Sequence, residues 1–239
     1  RGLNLRNYED LFCWAEENPE NFYEALWDFS QIISKTRGNK IVEDRHLMPG
    51  AKWFPEAKLN FAENLLIGED ENDAIIFEGE NLTKKIISWR ELRNQVSVFA
   101  QALQADGIKE GDRVVAYMPN MPETIIAMLA VTSLGAIWSS CSPDFGVQGV
   151  KDRFGQIEPS VMIACSDYFY NGKRFNCSSK IKKIINELES LKRVVILPYN
   201  PKENQRVIIE NSILWNDYVK NFIPLDIKFK HMKFNDPLY

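Results

Sequence analysis

The sequence predicts an α/β protein: a mostly parallel sheet with helices on both faces, preceded by a helical N-terminal extension. Three observations carry that expectation. Between residues 113 and 197 short apolar runs alternate with amphipathic helical stretches, the signature of strands joined by helical crossovers. Residues 8–36 show apolar groups at helical spacing and no strand pattern. The 239 residues are 45% hydrophobic and 26% charged, enough apolar material for a large core and too little polarity for disorder.

Tyr8, Leu11, Phe12 and Trp14, then Phe22, Leu26 and Phe29, mark two short amphipathic helices, with Asn18, Pro19 and Glu20 opening the second. Trp14 and Trp27 are read as packing groups. Residues 42–66 have little periodicity and are punctuated by Met48, Pro49 and Gly50 and by Trp53, Phe54 and Pro55, so they read as an extended crossing segment. Residues 74–79 form a strand and turn, with residues 84–88 as hairpin partner. Ser88 and Glu91 form a capping box, and Leu92, Val96, Phe99 and Leu103 line one face of the helix it opens, with Gly107 at its C-terminal cap.

Beyond this helix the expected order is strand 113–118, helix 122–134, strand 136–140, helix 147–156, strand 161–165, helix 179–191 and strand 194–197. Pro122 suits the first helical turn. Past Pro198 the pattern weakens into a polar connection, with an apolar run at 207–209 and a short helix near 215–222. The division expected is an extension over 1–70 and an α/β unit over 71–239.

The 29 basic and 33 acidic residues give a formal net charge of −4, which argues against a general attraction to nucleic acid or anionic membrane. No run approaches the about 20 apolar residues that span a bilayer, and no long apolar segment opens the chain, so the default location is the cytoplasm. Cys13, Cys141, Cys165 and Cys177 lack CxxC spacing, and His46 and His231 are widely separated, so no metal site and no nucleophile–histidine hydrolase is expected. Cys141 and Cys165 read as small buried apolar groups. The acidic pairs Glu16 with Glu17 and Asp70 with Glu71 read as surface. Neither GxxxxGK[ST] nor GxGxxG occurs; Gly172 and Lys173 imitate the end of the first, but Asp167 replaces its leading glycine and Arg174 its Ser or Thr.

Two segments stand out by position. Tyr168, Phe169, Tyr170, Asn171, Gly172, Lys173 and Arg174 follow strand 161–165, at the carboxyl edge where open α/β sheets hold ligands. Asn-Gly makes a tight turn, and two adjacent cations leave it. Residues 139–146, with Ser142 and Asp144, follow another strand at the same edge.

On these residues the chain resembles the N-terminal part of acyl-CoA synthetases of the adenylate-forming superfamily. Residues 8–27 are similar to their helical extension, and Lys52, Trp53, Phe54 and residues 59–64 to their crossing segment. Residues 87–92 resemble the first core motif, and Gly111 to Val114, Tyr117 to Asn120, Met128 to Val131 and Leu134 to Ile137 follow in the order of that superfamily. Residues 137–146 and Tyr170 to Lys173 resemble the branch that acts on acetoacetate; the acetyl branch has a Phe-Gly-Gly-Phe-Ser type loop at the first place and an arginine where Tyr170 stands.

The resemblance implies a two-step ligase using acetoacetate, ATP with Mg2+, and CoA, with an acyl-adenylate between the steps. It places the candidate CoA contacts on Lys173, Arg174, Tyr170, Ser142 and Asp144, with Lys173 on a phosphate and Ser142 and Asp144 near the adenine. It also implies that the phosphate loop, acyl pocket and catalytic lysine follow Tyr239, so that no catalytic residue falls in this chain, the remainder of the synthetase is its partner, and the chain alone is inactive. A related synthetase for acetate or propionate, and a non-catalytic binding module retaining the fold, are the alternatives.

Overall fold

The α/β expectation is met in a computed structural model that describes residues 5–80, 83–199 and 209–239. The chain divides into two compact units, Arg1–Asn60 with His231–Asp236, and Phe61–Lys230 with Pro237–Tyr239.

In the first unit α1 (Tyr8–Glu17) starts at Asn7, whose side-chain oxygen accepts the Asp10 N–H at 2.9 Å. Pro19 opens α2 (Pro19–Phe29). The crossing segment carries β1 (Val42–Glu43) and β2 (Lys52–Trp53), an antiparallel pair too short to appear as periodicity. Trp27 packs on Phe54 with ring centroids 4.5 Å apart and lies beneath the Arg37 guanidinium, while Trp14 meets Phe22 edge-on, so both tryptophans are packing groups.

The second unit begins with α3 (Phe61–Leu65) and the hairpin β3 (Asp73–Glu78) and β4 (Lys84–Ser88). Then comes α4 (Trp89–Ala105), whose capping box is complete: Ser88 Oγ accepts the Glu91 N–H, and Glu91 Oε2 accepts the Ser88 N–H. Its buried face carries Leu92, Val96, Phe99 and Leu103, and the helix ends as Gly107 takes φ +83°, which a side chain would resist.

The central sheet comes next: β5 (Arg113–Tyr117), α5 (Pro122–Ser133), β6 (Ile137–Cys141), α6 (Val147–Phe154) and β7 (Val161–Cys165). After it stands a hairpin, β8 (Asp167–Tyr170) and β9 (Lys173–Asn176), then α7 (Ser178–Glu187), β10 (Arg193–Leu197), β11 (Ser212–Leu214) and α8 (Trp215–Val219). The strands lie in the order β11-β10-β7-β5-β6, all parallel. Numbered along the chain this is 2-1-3-4-5, so the order reverses between β5 and β7.

Residues alternate strictly between the two faces. Val114, Ala116, Ile163, Cys165, Val195 and Leu197 pack in the core on the side of α4, α5 and α8, where Phe99 stacks on Trp215 with centroids 4.2 Å apart. Val115, Tyr117, Met162, Ala164, Val194 and Ile196 pack opposite, with α6 and α7. Burial on both faces explains why these strands read as continuous apolar runs.

Several elements differ from the sequence reading: the helix expected over 179–191 ends at Glu187, and the segment 42–66 expected to be extended closes with the helical turn of α3. The turn at 168–174 is the tip of a four-residue-stranded hairpin, hidden because its exposed second strand has no apolar alternation. The connection past Pro198 contains β11, a fifth sheet strand of only three residues that depends on pairing with β10. The helix near 215–222 ends at Val219, and residues 207 and 208 of the expected apolar run lie outside the described residues, leaving Ile209, which is buried. Among the described residues no helix is long and apolar enough to cross a membrane.

Candidate functional site

The carboxyl edge of the sheet is built by the segments that leave β5, β6 and β7. On the α4 side it is closed: Phe77 of β3 and Phe169 of β8 both pack on Tyr199, with centroids 6.5 and 5.6 Å away. The loop after β6 and the tip of the β8–β9 hairpin both reach the surface, and at the tip the Gly172 N–H donates to Glu80 Oε2 at 3.0 Å.

In the hairpin Asn171 and Gly172 take φ of +49° and +70°, the paired left-handed conformations of a tight primed turn. Tyr170 and Lys173 face each other across it, both exposed. Successive strand residues project to opposite faces, so the two adjacent cations separate. Lys173 shares the face of Tyr170, Tyr168 and Phe175, the last two stacked at 5.3 Å. Arg174 lies on the other face, where its Nε donates to Asp167 Oδ2 at 2.8 Å. Asp167 is almost fully buried and also accepts from Ser166 Oγ at 2.8 Å and from the Tyr199 N–H at 3.3 Å. Arg174 is thus held by the protein's own carboxylate, whereas Lys173 has no ion-pair partner among the described residues.

The loop after β6 presents Ser142 and Asp144 outward and tucks Pro143 beneath. Tyr117, fully buried at the end of β5, places its hydroxyl 2.6 Å from the Pro143 carbonyl and 2.9 Å from that of Phe145. Lys180, in the first turn of α7, donates to the same Pro143 carbonyl at 3.2 Å. The Arg153 guanidinium lies over the Phe145 ring at 4.4 Å. Burial, then the neighbouring Cys177 and the Asp144 charge, push the Tyr168 phenol up. The N-terminus of α6 begins after Gly146 with no side-chain cap and no acidic residue in its first turn.

Sequence reading missed Tyr117, Asp167 and Lys180. Two left signals: a tyrosine ending an aliphatic strand needs a partner for its hydroxyl, and a lysine in a helix's first turn opposes the dipole unless something accepts from it. Cys141, Cys165 and Cys177 offer no nucleophile, since each is buried and desolvation pushes each thiol up, that of Cys177 to about 11; Cys13 is exposed on α1, in the first unit. Among the described residues no group of three or more His, Cys, Asp or Glu could hold a metal ion. Asp70 and Glu71 are at the surface, where Asp70 pairs with Arg93 and Arg90 and Glu71 with Arg90. A groove of about 590 Å3 floored by Ile108, Leu134 and Phe229 lies at the opposite, amino edge of the sheet.

A parallel 2-1-3-4-5 sheet with two surface loops at its carboxyl edge is a doubly wound α/β frame, a class that holds ligands at that edge. The chain belongs to the AMP-binding enzyme family, whose profile matches residues 68–224; residues 8–65 match the profile described as the acetyl-coenzyme A synthetase N-terminus. It is 44% identical over 239 residues to the acetoacetyl-coenzyme A synthetase of Rhizobium meliloti (strain 1021), covering 100% of this chain and 36% of that protein. It is 41% identical over 250 residues to the acetoacetyl-CoA synthetase of Xenopus tropicalis, covering 100% of this chain and 37% of that protein. The solved acetoacetyl-CoA synthetase from Streptomyces lividans superposes with a TM-score of 0.90 at 30% identity, over 98% of this chain and 36% of that one. The chain therefore spans little more than a third of the length of these relatives.

Proposed function

We propose that the chain is the N-terminal part of an acid-thiol ligase that forms acetoacetyl-CoA from acetoacetate, ATP and CoA through an acyl-adenylate, and that its hairpin tip and β6 loop receive the CoA nucleotide. The observation that supports this most is the 44% identity to an acetoacetyl-coenzyme A synthetase along the whole chain. The reading divides the chain into the extension 1–70 and the first α/β subdomain 71–239.

The reaction is an activation. A carboxylate is a poor acyl donor because its charge repels nucleophiles, and an adenylate supplies a good leaving group; ATP enters with Mg2+. This chain's own residues are suited to the later partner, CoA. Lys173 is an exposed point charge for a phosphate, and the uncapped N-terminus of α6 offers free N–H groups to an anion or polar edge. Asp144 is an acceptor for an exocyclic amine such as that of adenine, with Ser142 beside it as donor or acceptor. Tyr170 gives the same patch a ring on which a base or pantetheine can lie. Arg174 is engaged with Asp167, so it acts by holding the hairpin. Four free cysteines suit a reducing compartment, in keeping with a cytoplasmic location.

The test is a titration of the chain with CoA, followed by NMR or calorimetry. Lys173→Ala is expected to weaken binding about tenfold, the loss of one charge-assisted contact of about 1.4 kcal/mol. An unchanged affinity would return Lys173 to a solvated turn. The chain by itself is expected to release no pyrophosphate from ATP in the presence of acetoacetate and CoA; release would overturn its reading as a part of the enzyme.

A further inference from the structure

We propose that Tyr117 is a positioning residue for the loop of residues 142–146: its buried hydroxyl, with Lys180, draws the Pro143 and Phe145 carbonyls inward and so fixes Ser142 and Asp144 at the surface in one arrangement. The inference rests on the reading of that loop as part of the CoA surface, but its geometry stands independently. Tyr117 ends β5, the strand hydrogen-bonded to both β6 and β7, and is fully buried in the core shared with α6 and α7. Its ring is therefore fixed, and its hydroxyl lies within hydrogen-bond distance of two carbonyls two residues apart, those of Pro143 and Phe145.

One hydroxyl proton cannot fully satisfy two acceptors. The Lys180 ammonium supplies the second donor, at 3.2 Å from the Pro143 carbonyl. This gives a reason for a lysine in the first turn of a helix, where the dipole disfavours it. Arg153 of α6 then holds the Phe145 ring from outside. Three elements, β5, α6 and α7, thus converge on one short loop whose internal hydrogen bond, from the Phe145 N–H to the Ser142 carbonyl, is 3.2 Å long. Two inward carbonyls on either side of Asp144 leave its side chain facing out. A loop held in this way meets its ligand without an ordering cost, which is how a residue that touches no ligand sets affinity.

The experiment is amide hydrogen exchange on the chain, with the Phe145 N–H as reporter and Val115 and Ile163 as core controls. Tyr117→Phe keeps the ring and removes the hydroxyl, and exchange at Phe145 is expected to accelerate tenfold or more while the controls stay within twofold. Lys180→Met removes only the second donor at the surface; it is expected to accelerate Phe145 severalfold and keeps the test open if Tyr117→Phe fails to fold. CoA affinity is expected to fall in the same order, Tyr117→Phe more than Lys180→Met. Unchanged exchange at Phe145 in the folded variants would overturn the positioning role. If the loop loosens but the unmodified chain binds no CoA, the positioning role stands and the CoA reading fails.

Discussion

Arg174→Ala should destabilise the protein substantially, while Lys173→Ala, one residue away, should barely affect it. The Asp167 side chain is 3% exposed and that of Arg174 is 31% exposed, with Nε and Oδ2 2.8 Å apart. Removing the guanidinium leaves a buried carboxylate whose partners among the described residues are the Ser166 hydroxyl and the Tyr199 N–H. Breaking a fully buried ion pair costs about 3 to 5 kcal/mol, and partial access of water to the arginine site lowers the expectation to about 2 to 3 kcal/mol. For a chain of this size each kcal/mol moves Tm by about 2 to 4 °C, so Arg174→Ala should lower it by about 5 to 10 °C. Lys173 sits at an exposed turn, where substitutions stay within about 0.5 kcal/mol. Thermal unfolding followed by circular dichroism reads both. Equal shifts in the two variants, or a fall of less than about 2 °C for Arg174→Ala, would refute the division of labour between these cations.

Two further outcomes are expected. Burial disfavours the Asp106 carboxylate, but hydrogen bonds from Arg193 at 2.8 and 2.9 Å and from Tyr218 at 2.9 Å outweigh it and hold its pKa below the usual range. A pKa lowered on folding stabilises above the unfolded value of about 3.9 and is lost as pH falls through the folded value, so Arg193→Met should flatten the decline of the urea midpoint between about pH 5 and pH 2; an unaltered profile would count against this. Iodoacetamide at mildly alkaline pH should modify the native chain once, at exposed Cys13, and Cys141, Cys165 and Cys177 only after unfolding, as mass spectrometry would record. Rapid native labelling of Cys177, whose thiol is pushed up to about 11, would contradict its buried placement.

The legible parts of this protein were those whose signal is local. The capping box of Ser88 and Glu91, the apolar face of α4 and the proline opening α5 are encoded within a few residues of one another. The central strands were legible because helices cover both faces, which makes the whole run apolar. β11 was not, since three half-buried residues become a strand only through pairing with β10. The candidate site divides in the same way. Its position at the carboxyl edge came from strand and helix order, but the adjacent Lys173 and Arg174 gave no sign that a hairpin would send them to opposite faces.

By itself the sequence determined the α/β class and the order of most elements, which depend on residue spacing along the chain, and a family likeness carried by motifs in order, which implies the candidate CoA contacts. Only the tertiary structure decided the strand order that puts the reversal between β5 and β7, the capture of Arg174 by Asp167, and the hold of Tyr117 and Lys180 on the loop at 142–146. Those partners lie 7 to 37 positions apart in sequence. The sheet brings them within hydrogen-bond distance, and burial makes their pairing decisive, since a polar group removed from water must find its partner inside the fold.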